Sequence, residues 1–178
     1  IKCHHNEFTI YFEESYEKNI NSSIKQILKY HNYAFIQNSF IQKEHLLEFC
    51  KYDYYYFVYI LLKNEKIDIN EQLSKENKNG NEYQFSALHY AVKKNNIEIV
   101  KLLLSVPNIN INIQTSYGFT PLHFAVKNSN YEIVKLLLSM PDINVNIQNI
   151  NCHIYRYYGY TALHFAVLKN DIEIIQLL

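Results

Sequence analysis

The sequence predicts an all-α solenoid of about five stacked helix-turn-helix units, the first two degenerate. Three observations predict it. A six-residue phrase occurs three times, as Ser86-Ala87-Leu88-His89-Tyr90-Ala91, Thr120-Pro121-Leu122-His123-Phe124-Ala125 and Thr161-Ala162-Leu163-His164-Phe165-Ala166. An apolar phrase follows each copy, at Ile97–Leu104, Tyr131–Leu138 and 172–178. The first two copies begin at residues 86 and 120, a period of 34. Self-similarity at roughly 20–50 residues marks a stacked array rather than one closed core.

Residues 1–85 read as the two degenerate units. Ile24-Lys25-Gln26-Ile27-Leu28 fits a second helix capped by Ser22 or Ser23, with 8–18 as its partner. Residues 44–51 then carry Leu46, Leu47 and Cys50 on one side, the stripe of an amphipathic helix. Phe57 to Leu62 aligns with Ile99 to Leu104, and Ile67-Asp68-Ile69-Asn70 with Ile109 to Asn112. Of the rings in Tyr54-Tyr55-Tyr56-Phe57, at least two are expected in the core, since they open an apolar helix. Residues 71–85 are polar at first, contain Gly80, and predict a long loop.

Residues 86–178 hold three clear units, the last truncated within its second helix. Thr120 suits an N-cap, its hydroxyl accepting from a free N–H of the first turn. Pro121 suits the first helical position, where its missing N–H costs nothing. Leu122, Ala125 and Val126 form a narrow apolar stripe. The helix should stop near Asn128-Ser129-Asn130, where Asn can take the left-handed cap conformation. The second helix, with Ile133, Val134, Leu136, Leu137 and Leu138, is bounded by Pro141. Residues 143–147 alternate apolar and polar, as an extended segment does, and Gly118 falls where a tight turn needs it.

These phrases carry a resemblance. The chain resembles the ankyrin-repeat family, whose signature is a T-P-L-H-x-A helix start followed by an I-V-x-L-L-L helix. The resemblance implies antiparallel helix pairs that stack, with loops projecting at about a right angle. It also implies that His89, His123 and His164 bond the Ser or Thr hydroxyl and a neighbouring loop, tying units together. The sequence departs from the family in two places. Ser105-Val106-Pro107-Asn108 and Ser139-Met140-Pro141-Asp142 replace the usual Gly-Ala-Asp stretch. The interval from 120 to 161 is seven residues longer than the one before it, the surplus lying in a loop insertion at 149–158. Solenoids place such insertions in loops on one face.

Composition narrows the function classes. Seventeen basic and 17 acidic residues give zero net charge with no Lys/Arg run, against a nucleic-acid or polybasic membrane surface. Three glycines leave no phosphate-binding loop. Cys3, Cys50 and Cys152 fit no zinc or disulfide spacing and read as free thiols of an intracellular, cytoplasmic protein. No apolar run is long enough to span a bilayer. The chain starts at Ile1 and stops at Leu178 within an apolar phrase, and both ends look like cuts in a longer protein. Abundant Asn, Ile, Lys and Tyr are what an AT-rich genome writes.

Histidines one whole repeat apart stand about 10 Å from each other, too far to share a zinc ion with its ~2 Å bonds. Cys3-His4-His5 and Cys152-His153 form no spacing-specific metal motif. Neither cofactor nor metal nor catalytic residue is expected. The resemblance places partner contacts at the loop tips and on the exposed side of each first helix. The matching residues are Tyr83, Phe85, Lys93 and Lys94, then Tyr117, Phe119, Lys127 and Asn128, then Tyr157, Tyr158, Tyr160 and Lys169. Either the rings stack into an exposed ladder, or Phe85, Phe119 and Tyr160 pack within the loops. The expected function is a non-enzymatic protein–protein interaction module whose partner is another protein, with no nucleic acid, membrane or small-molecule substrate. The other expectation is a regulatory segment of an enzyme or channel whose active domain lies outside this chain.

Overall fold

The computed structural model describes residues 44–63, 67–76, 82–150 and 158–178. The sequence-predicted helices at 8–18 and 24–28 lie outside them. Four helix pairs follow one another: α1 (Glu44–Lys51) with α2 (Tyr55–Leu62), α3 (Ala87–Lys93) with α4 (Ile97–Leu104), α5 (Pro121–Lys127) with α6 (Tyr131–Leu138), and α7 (Ala162–Leu168) with α8 (Ile172–Leu177). Strands β1 (Gln72–Glu76) and β2 (Glu82–Ser86) join the first two pairs. The first helices α1, α3, α5 and α7 pack side by side in one layer, and α2, α4, α6 and α8 in a second.

Local chemistry sets each pair. Thr120 Oγ1 accepts from the His123 N–H at 3.3 Å, and the Thr120 N–H donates to His123 Nδ1 at 3.1 Å. Histidine thus fills the place that Glu or Gln takes in a capping box. Ser86 and His89 repeat the arrangement. The helix-to-helix turns close on left-handed residues, Asn95 (φ 57°), Ser129 (φ 54°) and Asn170 (φ 53°). In the middle unit the residue is therefore Ser129 rather than one of the flanking asparagines. Beyond it the Asn130 N–H reaches Ala125 O at 2.9 Å, which satisfies a carbonyl the helix end would orphan.

The core runs between the layers. Leu88, Ala91 and Val92 of α3 and Leu122, Ala125 and Val126 of α5 are buried, facing Ile99, Val100 and Leu103 of α4 and Ile133, Val134 and Leu137 of α6. Burying each of the Leu, Ile and Val side chains contributes about 1.5–3 kcal/mol. In the first pair Tyr54 and Phe57 pack on Phe49, with ring centroids 6.0 and 5.0 Å away, while Tyr55 stays exposed. The Cys50 thiol is buried there, and burial raises its pKa out of reach of neutral pH.

Within the predicted loop at 71–85, residues 72–76 and 82–86 form strands. Antiparallel pairing runs from Gln72 opposite Ser86 to Glu76 opposite Glu82. Conversely, 143–147 forms turns rather than strand. Asn144 Oδ1 accepts from the Asn146 N–H at 3.0 Å, an Asx turn that offers the backbone an alternative to a ladder. Asparagines also clip one unit to the next. Asn70 Nδ2 donates to Asn108 O at 2.9 Å, and its Oδ1 accepts from the Asn110 N–H at 2.7 Å. Asn112 repeats both bonds, to Asp142 O at 2.7 Å and from the Asn144 N–H at 2.9 Å.

Candidate partner-binding face

Three loops share one base. Leu73 pairs with Phe85 in the hairpin, the Thr115 N–H donates to Phe119 O at 2.9 Å, and the Asn149 N–H to Tyr160 O at 3.0 Å. What lies between the paired residues differs: 74–84, 116–118 and 150–159. The expected insertion is thus pinched off at Asn149, whose Oδ1 also accepts from the Tyr160 N–H at 2.6 Å. The pairing of 72–76 with 82–86 likewise brackets a longer stretch than the short loop at 116–118. Neighbouring loops touch through backbone N–H groups. The Ile150 N–H donates to Tyr117 O at 3.0 Å, and the Gln84 N–H to Ser116 Oγ at 3.1 Å.

The recurring histidines bind loop to helix. His89 Nε2 lies 3.0 Å from Phe119 O, and His123 Nε2 lies 3.0 Å from Tyr160 O. A carbonyl only accepts, so Nε2 carries the proton and Nδ1 is the acceptor facing Ser86 or Thr120. Burial pushes both pKa values down to about 4, partly opposed by the bonds to the loop carbonyls. Both rings are neutral at pH 7. His164 keeps the hydroxyl contact, with Nδ1 2.8 Å from Thr161 Oγ1, but is exposed and meets no following loop among the described residues.

The rings form a ladder, though an internal one. Successive centroids lie 5.2 Å apart from Tyr90 to Phe85, 5.4 Å to Phe124, 5.7 Å to Phe119, 5.8 Å to Phe165 and 5.7 Å to Tyr160. These contacts are tilted, with ring planes 32–56° apart, and their centroid distances lie within the range at which aromatic pairs attract. Phe85 is 6% exposed and Phe119 3%. This corrects their place among the expected contact residues: each ring fills the gap between its own loop and the next first helix. Tyr160 is half-buried beside His164, at 5.0 Å between centroids.

The other expected contact residues separate into two groups. Lys93 and Lys94 are exposed, and Tyr158 is 68% exposed. Tyr117 is half-buried at the tip of the short loop. Asn128 and Lys169 face backward. Asn128 Nδ2 donates to Lys93 O at 3.4 Å, and Lys169 Nζ to Lys127 O at 2.9 Å and Ser129 Oγ at 2.6 Å. Tyr83 lies on β2 opposite Lys75. Tyr157 lies outside the described residues, as do Cys3-His4-His5 and Cys152-His153.

One feature escaped the linear reading, which finds no lysine cluster. Lys51, Lys93 and Lys127 each end a first helix, so the side-by-side layer sets them in one column. Lys93 Nζ stands 5.0 Å from the Phe85 centroid, and Lys127 Nζ 4.6 Å from Phe119 and 5.3 Å from Phe165. Partial burial, and then neighbouring lysines, lower the pKa of both. Reading the same position down the repeats would have revealed the column.

The fold defines a class first: a solenoid of helix pairs tied by loop-to-helix bonds, with rings inside and cations at the helix ends. The chain belongs to the ankyrin-repeat family, whose model, ankyrin repeats in three copies, matches residues 15–115, 46–149 and 112–178. Comparison with curated proteins yields no match. Repeats of this family generally mediate protein–protein interactions and are typically non-catalytic. Among the described residues no helix is long and apolar enough to cross a membrane.

Proposed function

We propose that this chain is a non-enzymatic protein-binding module, a scaffold or adaptor segment that grips another protein along the ends of its first helices and its loop tips. The observation that carries the reading is a division of labour. Phe85, Phe119, His89, His123, Asn128 and Lys169 are committed to stacking, whereas Lys93, Lys94 and Tyr158 project from that same edge. Tyrosine suits such a place, since it gives large contact area at low entropic cost.

Affinity capture on the immobilised chain, read by mass spectrometry, tests this. Lys94→Glu combined with Tyr158→Ala should remove the specifically captured protein and leave the melting temperature within about 2 °C, as surface changes do. Lys101→Glu on α4, in the second layer, should leave capture intact. Capture that survives the first variant and is lost with the second would contradict the proposal.

A further inference from the structure

We propose that the outward face of α7, with the loop leading into it, is a second docking surface whose occupant is one further helix pair of this same kind. The claim is independent of the partner-binding face, because it concerns the direction in which units stack rather than the edge of the first helices. Three side chains bond forward from one unit to the main chain of the next, and they recur at matching positions. Asn70 and Asn112 each hold a carbonyl and an N–H of the following unit, as described. Two residues further on, Gln72 Nε2 donates to Gln114 O at 2.8 Å, and Gln114 Nε2 to Gln148 O at 3.5 Å. His89 and His123 reach Phe119 O and Tyr160 O.

The unit of α7 and α8 presents the same three as Asn146, Gln148 and His164, and all three are exposed. Its helix face keeps the stacking residues too. Leu88 and Leu122 are buried, whereas Leu163 at the same position is 43% exposed. Val92 and Val126 are buried, whereas Val167 is 58% exposed. All three copies of the phrase have a preceding unit and a paired second helix, so a following unit accounts for the difference. Leu168 is exposed as well, where α3 and α5 carry Lys93 and Lys127. Tyr160, Leu163, His164, Val167 and Leu168 line an open groove of about 370 Å³. Contiguous apolar surface rimmed by polar groups marks an interaction site, and here it continues the interfaces of α3 with α5 and of α5 with α7.

The repeated bonds state what the occupant brings. Asn146 calls for a main-chain carbonyl and an N–H two residues on, as Asn108 and Asn110 give Asn70. Gln148 and His164 each donate, so each calls for a carbonyl. His89 and His123 also meet a ring edge-on from the next first helix, Phe124 at 5.7 Å and Phe165 at 5.8 Å between centroids. The first helix of the occupant therefore carries an aromatic residue at that position, above an apolar stripe that covers Leu163 and Val167. A helix pair with its leading loop supplies all of these together, because each unit of a stacked array meets its neighbours through one repeated interface.

The probe is a copy of this chain's own residues 104–138 joined after Leu178, which matches Leu103, so that the copy continues the apolar phrase in register. The comparator carries the same added residues in scrambled order. The extended chain should melt about 5 °C or more above the parent, and the scrambled one with it. Amides of α8 should exchange at least about tenfold more slowly in the extended chain. In nitrogen–proton correlation spectra at pH 7, His164 should gain a slowly exchanging Nε2 proton, as a ring bonded to a carbonyl has. Leu163→Glu with Val167→Glu should leave the parent within about 2 °C, since both side chains are exposed, and should remove the gain of the extended chain. Asn146→Ala with Gln148→Ala should lower that gain under the same condition. Circular dichroism confirms that each chain is folded.

An extended chain that melts with the parent overturns the proposal, as does a gain that survives Leu163→Glu/Val167→Glu. A gain without the His164 proton, and unchanged by Asn146→Ala/Gln148→Ala, overturns the set of main-chain bonds. Sedimentation of the parent reads the competing occupant. A dimer that Leu163→Glu/Val167→Glu dissociates would put a second copy on this face and overturn the choice of a helix pair, whereas a monomer agrees with it. None of these outcomes bears on capture through Lys94 and Tyr158, which is read separately.

Discussion

Between pH 6.5 and 4 the array should lose much of its stability, through His89 and His123. Each is neutral and buried when folded, with a pKa held down to about 4 against an ordinary value of 6.5. Within that window the unfolded chain binds more protons than the folded one, so stability falls as pH falls. The contribution is complete above pH 6.5 and fully lost below about 4. At about 1.4 kcal/mol per unit, each histidine accounts for roughly 3 kcal/mol, a large share of the total for a small domain. The cause is geometric as well as dielectric. A proton added to Nδ1 would confront the backbone N–H of Ser86, at 3.2 Å, or of Thr120, at 3.1 Å, two donors face to face. Thermal melts followed by circular dichroism from pH 7 to 4 check this. His123→Gln should melt lower than the parent at pH 7 and show a shallower decline toward pH 5. A parent melting temperature that stays flat across the window would refute the assignment.

The second large effect concerns two glycines that share a backbone conformation and differ in surroundings. Gly118 has φ 74° and Gly159 φ 72°, a region where a side chain costs about 1–2 kcal/mol. A Cβ on Gly118 would sit 2.6 Å from Ile150 N and 3.0 Å from Asn149 Cα, backbone of the following loop. On Gly159 its nearest neighbour among the described residues would be Gln148 Oε1, at 3.9 Å. Gly159→Ala should therefore cost only the conformational term. Gly118→Ala should cost about 3 kcal/mol or more, because it also forces adjacent loops apart and threatens the bond from Ile150 to Tyr117. Urea denaturation of the pair, with equal slopes, reads the difference as the value of loop-on-loop contact. Equal midpoints would mean that this contact contributes nothing.

Where chemistry is local, the sequence is legible. Thr120 and Pro121 are adjacent, and the cap and first-turn proline follow from their identities and spacing, while the bond of His123 to Thr120 is what the family resemblance implies. The stack follows from the repeated phrase. Legibility fails where partners are distant or side chains permissive. Residues 72–76 are mostly polar, with Leu73 alone apolar, so the pairing of this short-range hairpin rests on register rather than on a hydrophobic pattern shared by both strands. Ser129 at the left-handed turn position sits between two asparagines equally fit for it. Asn70 and Asn112 look like compositional drift until the next unit supplies the backbone they clip. Phe85 and Phe119 carry the signal of loop aromatics, and only the neighbouring first helix decides that they point inward. The lysine column is spread over residues 51 to 127, which hides it from any search for charge runs.

The division between stacking residues and projecting ones is the centre of this account. Site-specific photo-crosslinking tests it most directly, with a benzophenone amino acid placed at Lys94 or Tyr158 on the first-helix and loop edge, and at Glu98 or Glu132 in the second layer. Exposed to the captured partner and irradiated, the chain should form adducts from positions 94 and 158 and none from 98 and 132. Adducts from the second-layer positions alone would place the partner on the other side of the stack and contradict it.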